Sequence, residues 1–225
     1  MKYLLTLDFK EVLRHKWLIF GFYGIVILFL IFSNAIDDDI ISTIFVSTGG
    51  YQKISHPIVL IYTLLIFGFY TYMVLVIFTK DFTSSSNIFL RISKIKWFSF
   101  KILDILLIIF MFEVIMFMLL ILVFWIFGVS IDILFMFNVF ITDVMTKMVF
   151  IFVTLILYIM FNYYGCFINL SVVLFSTISD LVKSCYFSIN YFDSKLYLVI
   201  YLVVFYFISR YVFVKFNSVL FERSM

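Results

Sequence analysis

Of the 225 residues, 66% are hydrophobic and 13% charged, and the mean hydropathy is +1.23, a composition that no water-soluble domain of this size can present to solvent. The chain is therefore expected to be an integral all-α membrane protein, one domain over residues 1–225, because no segment between its apolar runs is long enough for a soluble domain. The net charge of +3 is small, so the placement of the charges says more than their sum. The 33 Phe and the single Ala, Ala35, read as a bias toward AT-rich codons and not as an aromatic binding site. Cys166 and Cys185 lack metal-ligand spacing and read as packing residues.

In residues 1–16, Leu5, Phe9, Val12 and Leu13 fall on one arc of a helix, and Asp8, Lys10, Glu11, Arg14 and His15 fall on the other. This predicts an interfacial helix with its basic residues near anionic headgroups and Trp17 at the membrane boundary. The first span is predicted from Trp17 to about Ile36, long enough at about 1.5 Å per residue to cross a hydrocarbon core of about 30 Å. Ser33-Asn34-Ala35 resembles a signal-peptidase site, but the apolar stretch before it is longer than a secretory core, so the span is read as uncleaved. An outer loop follows to His56, with Asp37-Asp38-Asp39 as a solvated acidic run and Gly49-Gly50 as a turn. Pro57 opens the second span, where its missing N–H costs nothing, and the span runs from Ile58 to about Thr79.

Lys80 to Lys101 is the only internal stretch that is both strongly basic and bracketed by long apolar runs. It places Lys80, Arg91, Lys94, Lys96 and Lys101 against Asp81. Lys and Arg between spans mark a cytoplasmic loop. The hydroxyls of Thr83-Ser84-Ser85-Ser86 can cap a helix start, and Ile88, Ile92 and Ile95 recur at helical spacing, so a short helix under the bilayer is predicted. The third span, Ile102 to about Phe127, carries Glu113 near its middle, where an ionisable group must be paired, protonated or facing water. A connection over 128–143 leads to a fourth span, Val144 to Phe161. Asn162-Tyr163-Tyr164-Gly165 is then a tight turn into a short, polar fifth span that ends near Ile178, broken or re-entrant through Ser179 to Ser194. The sixth span is Leu196 to about Val214.

This layout puts Lys2, Lys10, Arg14, Lys16, the five basic residues of the central loop, Arg210, Lys215 and Arg223 inside. Lys53, Lys147, Lys183 and Lys195 fall outside, which predicts six spans with both termini cytoplasmic. The chain lacks G-x-x-x-x-G-K-[ST], H-E-x-x-H and G-x-S-x-G, and its two histidines, His15 and His56, sit near membrane edges. Catalysis, a metal site and a cofactor bound by this chain are not expected, nor is a nucleic-acid partner.

Asp81-Phe82-Thr83-Ser84-Ser85, Leu90-Arg91-Ile92-Ser93-Lys94 and Lys101 resemble the acidic residue, the small-residue turn, the coupling segment and the entering lysine of one family, the membrane subunits of type 2 ATP-binding-cassette exporters. The segment departs from the family pattern in having no Pro, and Ser85 stands where a Gly is expected. The resemblance implies an N-terminal elbow helix over residues 1–16, six spans and a broken fifth span. It also implies a coupling helix of Asn87, Ile88, Phe89, Leu90, Arg91, Ile92, Ser93 and Lys94, with Asp81 beside it, docking on a separate ATPase that binds ATP and Mg. A second permease copy or paralogue, and a peptide or other amphipathic substrate exported or expelled for self-protection, follow by the same analogy. The alternative is a stand-alone immunity or scaffold protein without transport. A proton- or ion-coupled carrier using Glu113 and Asp104 is a third reading.

Overall fold

Long apolar runs leave the backbone one economical way to satisfy its N–H and C=O groups away from water, which is to close them within helices. The computed structural model describes residues 2–36, 57–84, 93–126, 133–178 and 194–223. Among these there are seven α-helices and no strand: α1 (Lys2–Arg14), α2 (Lys16–Ile36), α3 (Pro57–Ser84), α4 (Lys94–Ile126), α5 (Ile133–Phe161), α6 (Tyr163–Ile178) and α7 (Ser194–Arg223). Three stretches are long and apolar enough to cross a membrane: Lys94–Val123, Phe140–Phe161 and Val199–Phe216. Lys16–Leu28, Leu64–Phe78 and Tyr163–Val173 are shorter apolar stretches.

Several boundaries differ from the sequence pattern. The N-terminal helix does not merge into the first apolar run. At His15 the chain tightens, its N–H bonding the Val12 carbonyl at 3.0 Å, and α2 begins when Ile19 N–H takes the His15 carbonyl. Thr83 and Ser84 belong to α3, because no Gly or Pro interrupts the chain between Gly68 and Ser84. At the far side, the carbonyl of Ser93 receives the Trp97 N–H at 3.0 Å, so Ser93 stands at the helix-start position its residue type favours. Lys80 and Asp81 therefore lie on α3, and Lys94, Lys96 and Lys101 on α4. α5 starts at Ile133, about three turns before the expected Val144, so Asp143 and Lys147 are helical and not part of an outer connection.

Asp37 to Asp39, Gly49-Gly50, His56, the coupling residues Asn87 to Ile92, the re-entrant stretch through 179–193 and Cys185 lie outside the described residues.

α5 is the hub of the bundle. It packs most extensively on α7 and α6 and also meets α3 and α4, while α1 and α2 each lean on α3 and α4. The core is aromatic at two levels. Phe22 of α2 stacks on Phe69 of α3 with centroids 3.8 Å apart, and the Phe112 ring of α4 meets Phe69 edge-on. Further along, Phe78, Trp97, Phe98, Tyr158 and Phe213 bring the end of α3, the start of α4, the end of α5 and α7 into one buried cluster. Large apolar side chains also face outward, among them Phe110, Met118 and Trp125 on α4 and Phe207 and Tyr211 on α7, an exposure suited to lipid and not to water.

The α5–α6 hairpin turns at Asn162, as the sequence predicts. Its φ of 59° is in the left-handed region that Asn tolerates better than most residues. Close approach follows from Gly165: a side chain there would run into the Leu157 carbonyl of α5.

Candidate functional site

A charged side chain inside an apolar bundle costs several kcal/mol unless its partners enter with it, so buried ionisable groups locate the chemistry of this chain. Glu113 of α4 is such a group, and its carboxylate is 2% exposed. Its partner is Lys147 of α5, whose ammonium donates to Oε2 at 2.9 Å and lies 2.8 Å from Oε1, where Oε1 gains attraction but no formed hydrogen bond. The same ammonium donates to Asp143 at 2.6 Å, one turn back on α5. It also sits 5.5 Å from the ring centroid of Tyr70 on α3, a cation–π contact.

Tyr70 is completely buried. Its hydroxyl interacts with the Glu113 carboxylate without reaching formed hydrogen-bond geometry. Beside it on α2, the Tyr23 hydroxyl donates to the Phe112 carbonyl at 3.2 Å, one residue before Glu113. Four helices thus converge on one lysine and two carboxylates.

A second arrangement of the same chemistry lies nearer the start of α4. Lys101 donates to Asp8 of α1 at 2.5 Å, and Asp104, about one turn along α4, is buried beside the pair and interacts with both. The amphipathic reading of residues 1–16 therefore places Asp8 on the wrong face. Among the described side chains of α1, Val12 and Asp8 are buried, one helical turn apart, whereas Phe9 and Leu13 are exposed. The reason is the ion pair, because the Lys101 ammonium cannot be buried alone and draws Asp8 inward. His15, at the end of α1, shares a 3.0 Å hydrogen bond with the Tyr72 hydroxyl of α3, which fixes that end of the helix as well.

Two of the residues expected to couple to an ATPase have described side chains: Ser93 and Lys94, both exposed at the start of α4. Asp81 lies in the last turns of α3. The structure brings the ends of α3 and α4 together through the Phe78–Trp97–Phe98 contacts.

The sequence pattern alone places Lys147 among the outer charges and Asp143 in a connection. The signal that finds them is an acid and a base four residues apart inside an otherwise apolar helix, the spacing of a neighbouring pair on one face. With Lys147 and Lys101 both drawn into the bundle, one charge leaves each side of the inside–outside comparison and its sign is unchanged.

A polar contact of a different kind ties α5 to α6. Asn169 donates to Thr154 Oγ1 at 2.8 Å and to the Phe150 carbonyl at 3.2 Å, and all of these atoms are buried. Among the described residues no group of three or more His, Cys, Asp or Glu is placed to hold a metal ion. The two charge clusters can lock helices in register and can hold or release a proton. Neither contains an activated nucleophile.

No family model, curated protein or solved structure matches the chain.

Proposed function

We propose that the chain is a multi-pass permease subunit of an ATP-driven exporter of the type 2 ATP-binding-cassette kind. In this reading α1 is the elbow helix, α2 to α7 are six spans and both termini are cytoplasmic. A separate ATPase binds ATP and Mg, a second permease copy or paralogue completes the pathway, and the substrate is a peptide or other amphipathic molecule.

The observation that carries the reading is the frame around the 85–92 segment. Phe78 near the end of α3 and Trp97 and Phe98 near the start of α4 are fully buried against each other and against Phe213 of α7. Lys101, one turn further along, is tied to Asp8 of α1. A force applied to the connection is thereby passed to four helices at once, because packed aromatic side chains shift as rigid bodies and do not deform. The six apolar stretches after α1 support the span count.

The test is co-purification with an ATPase subunit, should one be encoded beside the gene, and stimulation of its ATP hydrolysis, using Phe89→Ala and Lys94→Ala. Truncating a buried apolar anchor in an interface costs about 2–4 kcal/mol, whereas an exposed rim charge mainly alters the association rate. Phe89→Ala should release the ATPase or uncouple hydrolysis from transport, and Lys94→Ala should be milder. Wild-type behaviour of both variants, or the absence of any ATPase partner, favours the stand-alone immunity or scaffold protein.

A further inference from the structure

The cluster around Lys147 is out of charge balance. Glu113 and Asp143 supply two carboxylates, and the cation that meets both of them is the one ammonium of Lys147. Two ionised carboxylates and one ammonium leave a net charge of −1 within a helical bundle whose neighbouring side chains are Phe, Ile and Tyr. Coulomb repulsion between two carboxylates that share one cation, in surroundings of low dielectric, makes the doubly ionised state expensive.

Among the described residues, the groups that face Glu113 from the elements packed on α4 leave the imbalance in place. From α3 comes the Tyr70 hydroxyl and from α2 the Tyr23 hydroxyl, both neutral phenols, and from α5 Lys147 and Asp143. The group of α7 that reaches α4 is Tyr206, whose hydroxyl meets Ser99 about four turns away. The group of α1 that does so is Asp8, bound to Lys101 about three turns away and negative in its own right.

We propose that this cluster is a proton-binding site, in which Glu113 holds one proton while the Lys147 ammonium stays paired with Asp143. Two observations point to a proton as the ligand. Glu113 and Lys147 are 2% and 4% exposed, so a metal cation bound between them would have to shed its water, whereas a proton needs no cavity. Glu113 Oε1 is buried and makes no formed hydrogen bond, so part of the carboxylate charge is answered by no donor. A proton on that oxygen removes the charge, and the neighbouring Tyr70 hydroxyl, itself without a formed hydrogen bond, can then accept from it. Asp143, whose side chain is 16% exposed, is the member of the cluster nearest solvent and gives the proton its route in and out. Protonation neutralises the cluster and relieves the repulsion between α4 and α5, so proton occupancy and helix packing are linked. The site is a property of this chain alone and does not depend on an ATPase partner.

The experiment uses the full chain purified in detergent and reads two signals: the protonated-carboxyl C=O band in infrared difference spectra, and the thermal unfolding midpoint across neutral pH. The wild type should show the band at neutral pH, and its midpoint should fall as pH rises, because the folded state then holds a proton that the unfolded chain has given up. Asp104→Asn removes one carboxylate from the Lys101 cluster, which poses the same charge problem, so the band that remains in this background belongs to the Lys147 cluster. In the Asp104→Asn background, Asp143→Asn and Glu113→Gln should each abolish the band and flatten the pH dependence. Asp143→Asn sits at the more exposed position and keeps the test available if Glu113→Gln fails to fold. Glu11→Gln, in the surface pair with Arg14, should leave both signals unchanged. Absence of the band in the Asp104→Asn protein overturns the proposal, as does its survival when Asp143→Asn or Glu113→Gln is added or its loss in Glu11→Gln. A midpoint that responds to added sodium at fixed pH, with no protonated-carboxyl band, also overturns it by assigning the missing positive charge to a metal cation.

Discussion

The ammonium of Lys101 stands 2.5 Å from Oδ1 of Asp8, joining the N-terminal helix α1 to α4 by an ion pair in which each side chain is 2% exposed. Asp104 interacts with the same lysine from the next turn of α4, so the three groups are not equivalent. Lys101→Met strands two buried carboxylates, and breaking a buried pair in this way costs about 3–5 kcal/mol. Asp8→Asn leaves Lys101 still facing Asp104 and should cost distinctly less. Chemical unfolding of the two variants in detergent gives the order. A larger loss for Asp8→Asn than for Lys101→Met would show that Asp104 does not share the lysine.

That pair also shows where the sequence is legible and where it is not. An apolar run of about 20 residues has one backbone solution in lipid, so helices at α2, α3, α4, α5 and α7 can be read directly. Glu113 stands out for the same reason, as an isolated carboxylate in such a run. Partners are harder to read, because they are brought in by tertiary packing at sequence separations that no local period encodes. Asp8 looks like a solvated residue on the polar arc of α1, and only the approach of Lys101, 93 positions away, turns it inward. Asp143 and Lys147 are a middle case. Their four-residue spacing is visible, but two charges at the edge of an apolar run imitate a loop, and the run on their N-terminal side, which α5 incorporates, is easily assigned to a connection. The reach of α3 through Ser84 and the start of α4 at Lys94 are hard to read for a related reason, since Ser and Thr serve equally well to finish one helix or to start another.

The α5–α6 hairpin depends on two residues for two different reasons. Asn162 is held at a φ of 59°, a conformation that costs most L-residues roughly 1–2 kcal/mol and Gly nothing. Asn162→Gly should therefore be neutral or slightly stabilising, and Asn162→Val should lose about 1–2 kcal/mol. Gly165 donates its N–H to the Asn162 carbonyl at 3.0 Å and abuts the Leu157 carbonyl, which is backbone and cannot rotate aside. Gly165→Ala should cost about 1–3 kcal/mol by forcing α6 away from α5. Thermal midpoints of the three variants check the scheme, and a Gly165→Ala protein as stable as the wild type would contradict the close approach.

Phe98 of α4 and Phe213 of α7 stack with centroids 4.3 Å apart and ring planes 10° from parallel, and neither is exposed. Trp97 and Phe78 complete the cluster, so removing either ring opens a cavity that helices held on several sides cannot close. Phe98→Ala and Phe213→Ala should each cost about 3–5 kcal/mol, while Phe207→Ala, which alters an outward-facing ring on the same α7, should change stability by about 0.5 kcal/mol or less. Because the two rings touch, the double variant should cost less than the sum of the singles, with a coupling of about 0.5–1.5 kcal/mol beyond area burial. Unfolding of the four proteins in one detergent measures this directly. Strict additivity would mean that α4 and α7 are held by the rest of the bundle, and that the 85–92 connection has no direct mechanical route to α7.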